Sequence, residues 1–120
     1  MKGKIKPLLP SLREKKRYLA YEVISKSKFD DPASVNKAIL TAANEFLGHL
    51  GMAKAGMIPI DVWNENMQRG IMRVNNKHVK ELQASLIFVN NIQGKEAIVK
   101  SVGASGILRK AQQKYLKTAQ

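Results

Sequence analysis

Residues 69–76 read RGIMRVNN, and the spacing of this stretch decides the fold. Side chains alternate between two faces along a strand. Met72 and Val74 therefore share one face, and Ile71 and Arg73 share the other. The first pair is apolar and belongs in a core. The second joins an apolar residue to a cation, which suits a more open face. Beyond Asn76 the pattern turns helical: Val79, Leu82, Leu86 and Val89 recur on one side. The spacing predicts a strand over 69–75 and a helix over 76–91, with Asn75 or Asn76 as its cap.

Upstream, RYLAYEVIS (17–25) is rich in β-formers. Its two faces are Leu19/Tyr21/Val23 and Tyr18/Ala20/Glu22/Ile24. DDPASVNKAILTAANEFLGHLG (30–51) predicts a helix, with Asp31 as N-cap and Pro32 at the first helical position. Val35, Ile39, Ala42, Ala43, Phe46, Leu47 and Leu50 form its apolar stripe, and Gly51 is the expected terminator. AGMIPIDVW (55–63) reads as a strand in which Pro59 demands an edge position or a bulge. Residues 64–68 turn it into the strand at 69–75. Downstream, Gln93–Gly94 turn the chain into a strand over 95–103. A short helix over 105–117 follows, capped by Ser105, with Ile107, Leu108, Ala111, Tyr115 and Leu116 available for packing.

The order is βαββαβ plus a terminal helix. That predicts an α+β, ferredoxin-like sandwich with an antiparallel four-stranded sheet and its first two helices on one face, the frame of RNA-recognition domains. The domain spans 17–117, and residues 1–16, with Pro7, Pro10 and many lysines, read as a flexible basic N-terminal arm.

RNA-recognition domains carry an octapeptide on the third strand: basic, Gly, aromatic, small, aromatic, aliphatic, any, aromatic. Arg69, Gly70 and Val74 match it, but its aromatic positions hold Ile71, Arg73 and Asn76. The outline of a base-stacking strand is present without its rings. RNA binding by this chain is therefore expected to be electrostatic and shape-directed, with little reading of unstacked bases. The face bearing Tyr18, Ala20, Ile24, Ile71 and Ile98 is apolar enough to need a cover, either the terminal helix or a partner protein.

Charge points the same way. Lys and Arg total 21 against 9 acids, a net charge of +12. The excess is concentrated in residues 1–28 and 109–120, whereas 30–65 is neutral to acidic. Such asymmetry suits a polyanion on one side and a protein on another. The chain has no cysteine, which excludes disulfides and thiolate metal sites. No apolar run approaches the roughly 18–20 residues that span a bilayer. A soluble, cytoplasmic protein is expected, with no membrane association.

Nothing in the chain assembles a catalytic site. His49 and His78 lie on different helices without an acid at ligand spacing, and Asp30–Asp31 reads as a helix start. No P-loop or dinucleotide fingerprint occurs. The candidate RNA contacts are instead basic residues and helix starts. Lys15, Lys16 and Arg17 lead into the first strand, and Arg73 stands on the third, able to stack by its guanidinium plane or bind phosphate. Asn75, Lys77 and His78 open the second helix, where free N–H groups favour phosphate; a solvated surface role suits His78 equally. GASG (103–106) precedes a helix bearing Arg109 and Lys110, so Ser105 and Gly106 are candidates, although a plain capped turn accounts for the stretch equally.

Three blocks, KKRYLAYEVIS (15–25), RGIMRVNNKHVKELQASL (69–86) and VGASGILRKAQQKYL (102–116), resemble the archaeal ribonuclease P protein component 2 family in order and spacing. That family is shared with eukaryotic ribonuclease P and MRP. The resemblance implies a non-catalytic subunit that binds ribonuclease P RNA, which itself removes the 5′ leader of precursor tRNA with Mg²⁺. It implies no cofactor on this chain. It implies pairing with ribonuclease P protein component 3 in a heterotetramer built around a dimer of this subunit. Two alternatives stand beside it: an adaptor between proteins without RNA contact, and a small-molecule-binding regulatory domain on the same frame.

Overall fold

The computed structural model describes residues 15–117. The arm expected over 1–16 falls outside this range except for Lys15 and Lys16, and Lys16 is already the first residue of a strand. The elements are β1 (Lys16–Ile24), α1 (Ala33–Ala55), β2 (Ile58–Asn64), β3 (Arg69–Asn75), a 3₁₀ turn (Asn76–His78), α2 (Val79–Leu86), β4 (Asn91–Ile92), β5 (Lys95–Glu96), β6 (Ile98–Ser105) and α3 (Leu108–Ala111). A π-helical turn at Gln112–Leu116 extends α3. Strands β2-β3-β1-β6 form one antiparallel sheet, the ferredoxin-like order. Among the described residues no helix is long and apolar enough to cross a membrane.

Two apolar layers flank the sheet. Leu19, Tyr21, Val23, Met72 and Val74 pack against Val35, Ile39, Leu82 and Leu86 of α1 and α2. On the opposite face Ala20 and Ile71 pack against Ala111 and Leu116 of the terminal helix. The period-two split of RGIMRVNN is thus realised, and the terminal helix covers this part of the second face. Ile24 and Ile98, on the same face, stay exposed. Gly70 lies under the phenol of Tyr21, whose Oη donates to Asn36 Oδ1 at 2.5 Å, and burial pushes that phenol's pKa up.

α1 departs from expectation at both ends. Asp31 does not cap it: its Oδ1 accepts from the Ala33 N–H at 3.0 Å in a local turn, and Pro32, expected at the first helical position, is the residue before the helix, which begins at Ala33. Gly51 does not end it. The helix breaks at Gly48 (φ 74°, ψ 176°), resumes, and stops at Gly56 in the left-handed region. A φ and ψ of this kind are almost confined to glycine. The break rotates the stripe: Val35 and Ile39 are fully buried, whereas Leu50 is 70% exposed. Phe46 meets Phe88 instead, ring centroids 5.1 Å apart.

β2 is an edge strand with its register shift between Ile60 and Trp63, which is how Pro59 is tolerated. The second helix is shorter than the 76–91 expected. It stops at Leu86 because residues 87–89 tighten into i→i−3 bonds, a turn that buries Val89. A small hairpin, β4–β5, takes up the rest, with Gln93 and Gly94 both at positive φ. The fourth sheet strand therefore runs over 98–105, not 95–103. The third helix starts at Leu108, and Ser105 ends β6. Its Oγ accepts from the Ile107 N–H at 3.2 Å, a local turn and not the expected cap.

Candidate nucleic-acid interface

Antiparallel pairing gathers three strand ends at one end of the sheet. β1 starts there, and β3 and β6 finish there. Lys16 pairs with Asn75, Arg17 with Val74, and Tyr18 with both Arg73 and Ser105. The ladder continues past the strand, with Asn76 N–H donating to the Lys15 carbonyl at 2.6 Å. The starting turns of α2 and α3 follow directly. Segments more than fifty residues apart thus bring their cations to one place.

The result is a notch of about 680 Å³ lined by Lys15, Lys16, Arg17, Tyr18, Asn76 and Gly106. No acid lines it. Among the described residues no carboxylate pairs with any of its three cations. Gly106 is exposed and leaves open space where a side chain would stand. Phosphate is the ligand this chemistry suits: several cations, backbone amides nearby and no competing negative charge.

The expected contacts divide into four groups. Lys15, Lys16, Arg17 and Gly106 line the notch. Arg73 and Ser105 flank Tyr18 on the neighbouring strands. Lys77, His78, Arg109 and Lys110 lie on the adjoining helix starts without lining it. Lys77, Arg109 and Lys110 are exposed, while His78 Nδ1 sits 3.0 Å from Glu81 Oε2. Asn75 is committed within the protein. Only 8% exposed, its Nδ2 donates to the Lys54 carbonyl at 2.8 Å, and its Oδ1 accepts from Lys16 Nζ at 2.5 Å. It does not cap α2; its amide ties the end of α1 to the start of β1.

Two lining residues are absent from the sequence-based set, Tyr18 and Asn76. Tyr18 is assigned there to a covered face. The signal that finds it is register: it stands opposite Arg73, at the rim of the layer beneath the terminal helix.

That helix is fastened by side chains from the sheet. Arg69 Nε reaches Glu22 Oε1 at 2.9 Å while its Nη1 donates to the Tyr115 carbonyl at 2.8 Å. Asn64 Nδ2 donates to the Leu116 carbonyl. These donors satisfy carbonyls that a helix end leaves free. Tyr115 lies over Gly103, so close that a Cβ there would stand 2.5 Å from Cε1 and nearer still to Cζ and Oη. The first glycine of GASG makes room for a ring.

A profile of the Rpp14/Pop5 family matches residues 17–116. Ribonuclease P protein component 2 of Thermococcus gammatolerans is 42% identical over 116 residues, covering 97% of this chain and 95% of the relative. The protein of the same name from Pyrococcus furiosus is 40% identical with the same coverage. That of Methanosarcina acetivorans is 37% identical, covering 94% of this chain and 83% of the relative.

Proposed function

The chain belongs to the Rpp14/Pop5 family, and on that footing we propose that it is a non-catalytic, RNA-binding subunit of ribonuclease P. In this reading the RNA cleaves the 5′ leader from precursor tRNA, and Mg²⁺ accompanies the RNA. The chain acts in the cytoplasm and neutralises RNA phosphates at its basic end. The observation that carries the reading is the notch: Lys15, Lys16 and Arg17 converge there beside an open Gly106, with no acid among its described lining residues. Lys77, Arg109 and Lys110 extend the positive surface onto the adjoining turns. Ribonuclease P protein component 3 and a second copy of the chain are the protein partners. The exposed Phe46, Leu50, Ile87 and Phe88 supply apolar surface for them.

The test is reconstitution of precursor-tRNA cleavage from the RNA and the other subunits, with and without this chain. Adding it should raise the cleavage rate or lower the Mg²⁺ requirement. No change in either overturns the reading. Its phosphate contacts are read from salt dependence: Arg17→Ala and Lys16→Ala should each lower the log–log salt slope of RNA binding by about one.

A further inference from the structure

We propose that the notch holds a whole nucleotide, with one unpaired base seated between Tyr18 and Arg73. The inference rests on the RNA-binding reading and adds a base contact that the missing aromatic positions of RGIMRVNN argued against.

Side chains directly opposite each other in an antiparallel sheet share a face, their Cβ atoms about 5 Å apart. The row Ile60–Ile71–Ala20–Gly103 lies beneath the terminal helix, Tyr115 sitting on Gly103 and Leu116 and Ala111 packing with Ile71 and Ala20. The next row, Ile58–Arg73–Tyr18–Ser105, lies at the edge of that cover. Tyr18 touches the covered layer and also forms a wall of the notch. The half-buried Tyr18 ring thus stands where the layer under the terminal helix meets the notch.

Arg73 is the second observation. Its Nε is sealed from solvent and has no hydrogen-bond partner among the described residues. A buried donor without an acceptor costs roughly 1–3 kcal/mol and leaves the guanidinium under-satisfied. Among the described residues no acceptor or carboxylate engages its terminal nitrogens either, and these are not sealed. The sheet therefore holds a guanidinium beside a phenol ring, with its open terminal nitrogens unengaged by any described residue.

A nucleobase answers both groups. Its face stacks on Tyr18, and an acceptor edge meets the guanidinium, which is a donor only. Guanine, with O6 and N7 both accepting, fits best; adenine presents one acceptor and one donor on that edge. The phosphate of the same nucleotide falls to Lys15, Lys16 and Arg17. A base locked in a duplex cannot enter, so the ligand is single-stranded or bulged RNA.

The experiment measures binding of the full chain to a short guanine-containing single strand, the same strand with adenine substituted, and the matching duplex, each across a salt series. Tyr18→Leu should weaken single-strand binding about tenfold with the salt slope and duplex affinity unchanged, whereas Tyr18→Phe should bind as the parent does. Arg73→Met should abolish a guanine preference of about tenfold. Quenching of 2-aminopurine placed in the single strand reads stacking in the parent protein, independently of any variant's folding. A normal salt slope with no quenching, no guanine preference and no loss in Tyr18→Leu overturns the base subsite and leaves the phosphate reading standing. Absence of salt-dependent binding in the parent overturns both.

Discussion

Replacing Gly103 by alanine tests how the terminal helix is held. The position has no positive φ, so alanine is tolerated by the backbone and the effect is purely one of space. The new Cβ would stand 2.5 Å from Tyr115 Cε1 and closer to Cζ and Oη, so the edge of the ring must leave. Removing the hydroxyl alone does not help, because Cζ and Cε1 obstruct as well. Overpacking of this kind costs about 1–3 kcal/mol. For a domain of this size that corresponds to a fall in melting temperature of roughly 4–20 °C. The assay is a double-mutant cycle by urea unfolding, with Tyr115→Ala as the second change. In the Tyr115→Ala background Gly103→Ala should cost nothing or add up to about 1 kcal/mol of stability, since alanine restricts the unfolded chain. Gly106→Ala, where open space surrounds the new Cβ, serves as the control and should shift stability by less than about 0.5 kcal/mol. Equal costs for Gly103→Ala in both backgrounds would show that the ring does not occupy this place, and would refute the account of how the face is covered.

Gly48→Ala should destabilise by roughly 1–3 kcal/mol although nothing crowds the site, because the penalty there is torsional; chemical denaturation reads it, and a neutral result removes the break in α1. Arg69→Met withdraws the donor from the Tyr115 carbonyl and should speed hydrogen exchange across 108–116 while leaving the α1–α2 side of the sheet protected. The buried Tyr21 phenol has a raised pKa, so its stabilising contribution is complete below the unfolded value of about 10 and fades as pH rises beyond it. Tyr21→Phe should accordingly flatten the alkaline fall in stability, and it should also cost about 1–3 kcal/mol by stranding Asn36 Oδ1. Phe88→Ser should weaken capture of component 3 while leaving the salt slope of RNA binding intact; a changed slope would tie that surface to RNA instead.

Local rules carried much of this fold. The alternation at 69–75 placed Met72 and Val74 under the helices, and Pro59 placed its strand at an edge, because both depend only on neighbours in sequence. Gly51 looked like a terminator by the same logic, yet of the three glycines along this segment it is Gly48 and Gly56 that have positive φ. Composition cannot choose among three glycines spaced along one helix; packing does. The early end of α2 and the β4–β5 hairpin were hidden for a similar reason, since LIFVNN continues an apolar pattern that suits either a helix or a turn into the core. The basic cluster was legible as a list of residues but not as a place. Asn75 has the right chemistry for phosphate, and only the fold reveals that both ends of its amide are engaged. Tyr18 needed register to set it beside Arg73.

The Asn75 amide has one more consequence. A lysine free in solvent gives up rotamer freedom, about 1.5–2 kcal/mol, when a ligand immobilises it. Lys16 is held by Asn75, and Asn75 by the carbonyl of Lys54, so the loss occurs at folding and not at encounter. One cation of the notch is thus preset, while among the described residues no side chain fixes Lys15 or Arg17 in the same way. RNA would meet a surface with one fixed point and a compliant margin, a combination that favours rapid capture without demanding one rigid backbone path.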